Sequence, residues 1–229
     1  MTGSFLDRVP ETTRQLLLKD ARMVWISASD AIFRTSEPHL GIVLEGTARS
    51  YILAPTGRQL TVRYVRRGSM VGSWASPRPG DLLIEHQALS DCSILEFNVP
   101  TLASLLRTEQ AFAFVFLGYL SERLQITYET LAATAFGTVR QQIARHLLEL
   151  AEVDLEDRRL VARITQQGLA DGLGTTREVV ARAMRKLRLD GFVRTHARQI
   201  EIIDAERLRD VAGRWPSAMR SRRTEASSS

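Results

Sequence analysis

One cysteine, Cys92, stands in 229 residues, which excludes an intramolecular disulfide and any iron–sulfur cluster held by four cysteines of one chain. Lysine is scarce too, two residues against 29 arginines, a ratio that genome base composition alone can produce and that carries no functional weight. No run of about 18 apolar residues occurs, so no membrane span is expected. The amino-terminal MTGSFLDRVPETTRQ lacks the basic start and apolar stretch of a secretory signal, and a cytoplasmic location is the expectation. The four histidines, with Cys92 and scattered acids, show no metal-site spacing, which argues against an enzyme on a metal-binding jelly-roll; no cofactor or metal is expected. What is present is ordinary for a water-soluble chain, 44% hydrophobic and 25% charged, long enough for one large or two modest domains.

Charge is unevenly spread. Residues 1–136 carry 13 basic and 13 acidic side chains, whereas residues 137–229 carry 18 and 13, so the net +5 lies entirely in the second part. Within it, residues 165–187 read TQQGLADGLGTTREVVARAMRKL. Leu169 and Leu173 lie one turn apart and Ala170 is small, so a second helix can cross closely. Gly174 ends the first helix, and Thr175 with Glu178 three residues on has the form of a capping box opening the next. Val179, Val180, Ala183 and Leu187 can face a core, leaving Arg177, Glu178, Arg182, Arg185 and Arg188 outside. This is a helix-turn-helix pattern, whose second helix can lie in a DNA major groove. A plain two-helix corner shares the spacing, but seven basic and two acidic groups between Gly174 and Arg198 point to a polyanion.

Upstream, short β-like runs (RMVWIS, GIVLEG, ARSYILA, RQLTVRYV, LLIEHQAL, CSILEFN) separated by turn residues predict a β-sandwich or jelly-roll. Helical pattern follows Pro100. Leu117, Leu120, Leu124, Thr127, Leu131 and Thr134 recur at steps of three and four, an apolar seam of coiled-coil type. Phe112, Val115, Phe116, Tyr119 and Ile126 form a second stripe. One stripe suits the β-domain and the other a partner helix. Phe136-Gly137 reads as a hinge, residues 138–153 as an amphipathic helix, and 154–159 as a charged connection. FVRTH and QIEII flank Ala197-Arg198 as a small hairpin, or wing, and Asp204 caps a last short helix ending at Gly213. The resulting expectation is an α+β chain: a β-roll at 1–108, a long helix at 109–136, a winged helix-turn-helix at 137–213 and a disordered tail at 214–229.

This order of parts, with the stretches GIVLEGTARSYILAPTGRQLTVRYVRRGSMVG, SERLQIT and ITQQGLADGLGTTREVVARAMRKLRLDGFV, resembles the Crp–Fnr superfamily of bacterial transcription regulators over nearly the whole chain. The resemblance implies a cyclic-nucleotide-binding-like jelly-roll (double-stranded β-helix) that takes an effector. It also implies a homodimer through residues 109–136, binding to a palindromic promoter element and contact with RNA polymerase. Arg177, Glu178 and Arg182 match base-reading positions of the cyclic-AMP receptor branch. Arginine can grip guanine O6 and N7, and glutamate can accept from cytosine N4, so TGTGA-like half-sites are expected. Thr175 and Thr176 would hold phosphate or cap the helix, and Arg185 and Arg198 complete the DNA-facing set.

The effector site departs from the resemblance. In the cyclic-nucleotide branch a glutamate follows the glycine of the phosphate cassette and an Arg-Ser pair binds the cyclic phosphate. Here Gly72 is followed by Ser73, and Leu82-Leu83 occupy the Arg-Ser positions. A buried phosphate would lack its counter-charge there, at a cost of several kcal/mol, which disfavours cyclic AMP. Arg123 and Thr127 match ligand-contacting helix positions, Tyr128 replaces a small polar residue, and Arg78 could approach from the loop. A pocket of Tyr64, Trp74, Leu82, Leu83 and Tyr128 beside Arg123 would suit an apolar or aromatic molecule with one acidic group. A packed roll without effector uses the same residue types, giving a constitutive regulator. A haem-based gas sensor would have only His39, His86 and Cys92 as axial ligands in the β-part.

Overall fold

The computed structural model describes residues 4–33, 38–73, 84–154, 158–196 and 198–213. The tail at 214–229 and the Trp74, Arg78, Leu82 and Leu83 positions lie outside these described residues. The chain divides into two compact units, Met1–Leu53 with Val62–Gln125, and Ala54–Thr61 with Ile126–Ser229.

In the first, the β-runs become β1 (Arg22–Ile26), β2 (His39–Glu45), β3 (Thr47–Leu53), β4 (Gln59–Arg66), β5 (Met70–Ser73), β6 (Ile84–Ala88) and β7 (Cys92–Glu96). They make two sheets, ordered β1-β7-β2-β5 and β4-β3-β6. β2 is buried on both faces, which explains its nearly continuous apolar sequence. Val43 joins Ala48, Val65, Val71, Ala88, Cys92 and Ile94 in one cluster; Leu40 and Ile42 join a second cluster built largely by helices.

Those helices include two elements the sequence pattern did not announce. Ser4 caps a short 3-10 turn over Phe5–Arg8, and α1 follows at Glu11–Lys19. Phe5 is buried edge-on against Phe112, Phe116 and Tyr119, with ring centroids 6.2, 6.0 and 5.2 Å away. α2 (Val99–Thr108) opens with Asn98 accepting from the Thr101 amide at 2.9 Å and a proline in its first turn, where no amide is needed. α3 (Gln110–Phe136) has 27 residues and is about 40 Å long. Its Phe112, Phe116 and Tyr119 are buried, whereas Leu117, Leu120, Leu124 and Leu131 are 60, 45, 52 and 62% exposed.

In the second unit, Thr138 and Gln141 form a reciprocal capping box that opens α4 (Val139–Leu150). This helix ends earlier than the expected residue 153. Ala151 turns extended, and β8 (Ala151–Val153) pairs with β9 (Leu160–Ala162), so a sheet ladder takes over the main-chain hydrogen bonds. The charged connection expected at 154–159 joins these two strands, and its residues 155–157 lie outside the described residues. β10 (Val193–Thr195) and β11 (Ile200–Ile202) complete a sheet ordered β10-β11-β9-β8. α6 (Arg177–Leu189) and α7 (Ala205–Ala212) pack on α4, α5 (Gln166–Gly172) packs on α6, and Asp204 caps α7 through the Arg207 amide at 2.9 Å. No helix among the described residues is long and apolar enough to cross a membrane.

Candidate nucleic-acid interface and β-roll interior

The Thr165 hydroxyl accepts from the Gly168 amide at 3.0 Å and fixes the start of α5. Leu169 and Ala170 are fully buried as the crossing point requires. Gly174 has φ +61°, the left-handed conformation that lets the chain turn, and the Thr175 amide donates back to the Ala170 carbonyl at 3.0 Å. The cap of α6 is Thr176, not the expected Thr175: its hydroxyl accepts from the Val179 amide at 3.4 Å. Thr175 is spent in the turn, and the shift by one residue sets Arg177 as the first helical position. Val180 and Leu187 are buried as expected. Met184 fills the third fully buried place, leaving Val179 and Ala183 half-buried, because the 180, 184, 187 spacing points straight into the core.

Arg177, Glu178, Arg182 and Arg185 all lie exposed along one side of α6, and Thr176 is exposed at its mouth. From Arg177 to Arg182 the rise is about 7.5 Å, close to two base-pair steps. The far end of α6 is anchored: Arg140 of α4 pairs with Asp190 at 2.5 Å, and Arg188 donates to Thr195 of β10 at 3.4 Å. In the hairpin β10–β11 the buried Glu201 carboxylate accepts from His196 at 3.0 Å and Arg194 at 3.2 Å, with Arg159 at 3.6 Å. The His196 hydrogen bond outweighs burial and, with these arginines, holds the Glu201 carboxyl below the usual carboxylate range. Arg198 sits exposed at the hairpin tip.

The interior of the β-roll changes character along its strands. The apolar layer contains Ala48 of β3, Val65 of β4 and Ala88 of β6. Two residues along each strand, on the same face, come Ser50, Arg63 and His86. Ser50 and His86 are directly paired across β3 and β6, Oγ to Nδ1 at 2.8 Å. Burial, reinforced by the Arg63 charge, pushes the His86 pKa down to about 4, so the imidazole is neutral near pH 7. Arg63 donates to the Met70 carbonyl at 2.8 Å, while the Met70 amide donates to the Tyr119 hydroxyl at 3.1 Å. The guanidinium of Arg123 lies over the Tyr119 ring, 5.0 Å from its centre.

Of the expected pocket, Tyr64, Gly72 and Arg123 belong to the first unit, whereas Thr127 and Tyr128 are exposed and group with the second. Gly72 has a steric reason of its own: with φ +102°, a Cβ there would stand 2.1 Å from the His39 carbonyl oxygen. Ser73 extends β5 opposite His39. The haem candidates are otherwise engaged. His39 holds Glu96 at 2.6 Å and stacks on Phe33, His86 holds Ser50, and Cys92 contacts the Thr47 and Ser90 carbonyls from a different sheet. Among the described residues no three His, Cys, Asp or Glu side chains gather as a metal site.

The same two parts are matched by family models. Residues 23–109 match the cyclic nucleotide-binding domain and residues 141–211 match the Crp-like helix-turn-helix domain. The chain belongs to the Crp–Fnr family of transcriptional regulators. Relatives of this Crp–Fnr protein include the CRP-like cAMP-activated global transcriptional regulator of Mycobacterium tuberculosis, 25% identical over 84% of this chain and 88% of that one. The transcriptional regulator SdrP of Thermus thermophilus is 27% identical over 74% of this chain and 82% of its own. Among solved structures, a crp/fnr-family transcriptional regulator from Eubacterium rectale superposes with TM-score 0.70 at 19% identity, covering 90% of this chain and 96% of that one. These relatives are regulators rather than enzymes, and the Crp–Fnr protein is accordingly a DNA-binding transcriptional regulator of the same α+β build.

Proposed function

We propose that this regulator is a cytoplasmic homodimer that reads palindromic TGTGA-like sites, passes the outcome to RNA polymerase, and answers to an effector in its β-roll other than cyclic AMP. The observation that carries the reading is the exposed row Arg177, Glu178 and Arg182, presented by the Thr176 cap at the open end of α6. Arginine, glutamate and arginine at this spacing can address guanine, cytosine and guanine edges in turn. In this reading Thr175, Thr176, Arg185 and Arg198 would serve phosphates on either side. The exposed leucine row of α3 supports pairing with a second copy, since so long an apolar strip is otherwise left in water. Two such subunits would present recognition helices about 34 Å apart.

The effector reading rests on the β-roll. The Mycobacterium tuberculosis relative is cAMP-activated by name, but here Ser73 and Leu82-Leu83 stand where the groups that hold the ribose and cyclic phosphate would be. The test is a gel shift of the purified full chain on a TGTGA palindrome with half-sites one turn apart, against a scrambled duplex. Preference for the palindrome, unchanged by cyclic AMP, is expected. Equal affinity for both duplexes overturns the DNA-site assignment, and a marked gain with cyclic AMP overturns the effector assignment.

A further inference from the structure

The second unit includes Ala54–Thr61, the tip of the β3–β4 hairpin, together with the helix-turn-helix. This tip is closed by its own hydrogen bonds. Pro55 fixes one backbone angle, the Gly57 amide donates to the Ala54 carbonyl at 2.9 Å with Gly57 at φ +81°, and the Ala54 amide donates to the Arg58 carbonyl at 2.8 Å. It meets the helix-turn-helix at Gly174 and at Gly172. The Arg58 guanidinium donates to the Gly174 carbonyl, and a Cβ on Gly174 would stand 3.1 Å from the Gln59 carbonyl oxygen. Thr61 is buried, and a Cβ on Gly172 would stand 3.1 Å from its hydroxyl and 3.6 Å from Cε1 of His146. Gly172 lies in α5 without the left-handed backbone that calls for glycine, and alanine suits a helix better. What it lacks is room, because Thr61 stands against the place a side chain would take.

We infer that this hairpin tip is a strap that sets the reading end of α6, with Arg58 and Thr61 as positioning residues for base reading by Arg177. The inference rests on the DNA-site reading above and deepens it by naming what holds the turn. One peptide unit is decisive. Its carbonyl, on Gly174, accepts from Arg58, and its amide, on Thr175, donates to the Ala170 carbonyl at 3.0 Å. Both polar groups of this planar unit are taken, one by the strap and one by α5, so it cannot rotate without breaking a hydrogen bond. Thr176, next in the chain, caps α6, and Arg177 is its first helical position. A tilt of the Gly174–Thr175 peptide is therefore passed within two residues to the guanidinium assigned to a guanine edge, and a two-bond grip on a base edge tolerates little displacement. Thr61, packed on Gly172 at the end of α5, seats the strap and keeps Arg58 at the turn.

Fluorescence anisotropy of the full chain on the TGTGA palindrome and on the scrambled duplex, at one salt concentration, tests this. R58Q is expected to reduce the preference for the palindrome about tenfold while affinity for the scrambled duplex stays nearly unchanged. R58K should keep most of the preference, since an ammonium can still donate to the Gly174 carbonyl. G172A, which sets a methyl group against the Thr61 hydroxyl, is expected to reduce the preference in the same way, and T61A added to G172A to restore part of it. Should R58Q fail to fold, G172A and its T61A partner carry the test. Equal losses on both duplexes would make Arg58 a phosphate contact, a gain on the palindrome would make the strap a brake, and an undiminished preference in R58Q and G172A would leave it without effect on reading. Each of these overturns the inference and leaves the DNA site standing. No preference for the palindrome in the unaltered chain overturns the DNA-site reading and the inference with it.

Discussion

The Ser50 hydroxyl and the His86 imidazole meet at 2.8 Å across the β3–β6 pair, in an interior where the imidazole stays neutral. An unfolded histidine titrates near pH 6.5, whereas His86 in the fold titrates at about 4. Between these values the unfolded chain binds a proton that the folded chain does not, so stability is complete above about pH 6.5 and falls as the pH drops toward 4. From pH 7.5 to 5 the loss from this one group is about 2 kcal/mol. His146 on α4, pushed down to about 4 by burial and then by Arg145, adds a like loss in the other unit. Urea unfolding at the two pH values checks this; in H86Q the first unit's pH dependence should shrink by about that amount, and an unchanged slope would refute it.

Base reading and phosphate holding separate in binding assays. R177A is expected to lose about 1 to 3 kcal/mol on the specific site with little change on random DNA. R198Q should instead weaken both and flatten the salt dependence by about one unit of slope. Equal losses on both duplexes for R177A would remove Arg177 from the base-reading set.

Helix capping is decided by one residue. T176A is expected to destabilise the second unit by about 1 kcal/mol, because the Val179 amide loses its acceptor, while T175A changes stability far less. Chemical denaturation of the two variants checks the order; a reversal would return the cap to Thr175.

The leucine row on α3 gives a variant that spares the fold. Leu120 and Leu124 are 45 and 52% exposed, so L120E with L124E should leave unfolding of the single chain nearly unchanged. Sedimentation is expected to show a dimer for the unaltered chain and a monomer for the variant, with loss of palindrome binding. A dimer that survives both substitutions places the subunit contact elsewhere.

Much of this was legible because periodicity and burial coincide. The strands, the two stripes of α3 and the helix-turn-helix each repeat a pattern over several residues. Single-residue devices were not. Phe5 stabilises the amino-terminal elements by inserting one ring among Phe112, Phe116 and Tyr119, a contact more than 100 residues distant in sequence that no local pattern encodes. The cap at Thr176 rather than Thr175 turned on where the chain leaves its left-handed glycine. Arg63 was the subtler case. Its alternation with Val65 pointed inward, but an arginine in a strand is ordinarily assigned to water. Strand parity, taken over composition, was the signal that could have found it.

Tyr119 and Leu120 are adjacent on α3, one buried against Met70 and Arg123, the next half in solvent. A helix held by continuous main-chain hydrogen bonds is torsionally stiff, so these neighbours cannot turn independently. A ligand that displaces the tyrosine ring would rotate Leu117, Leu120 and Leu124 through the same angle. A change at the buried face of α3 would therefore be carried to its exposed face as a rotation of the whole helix.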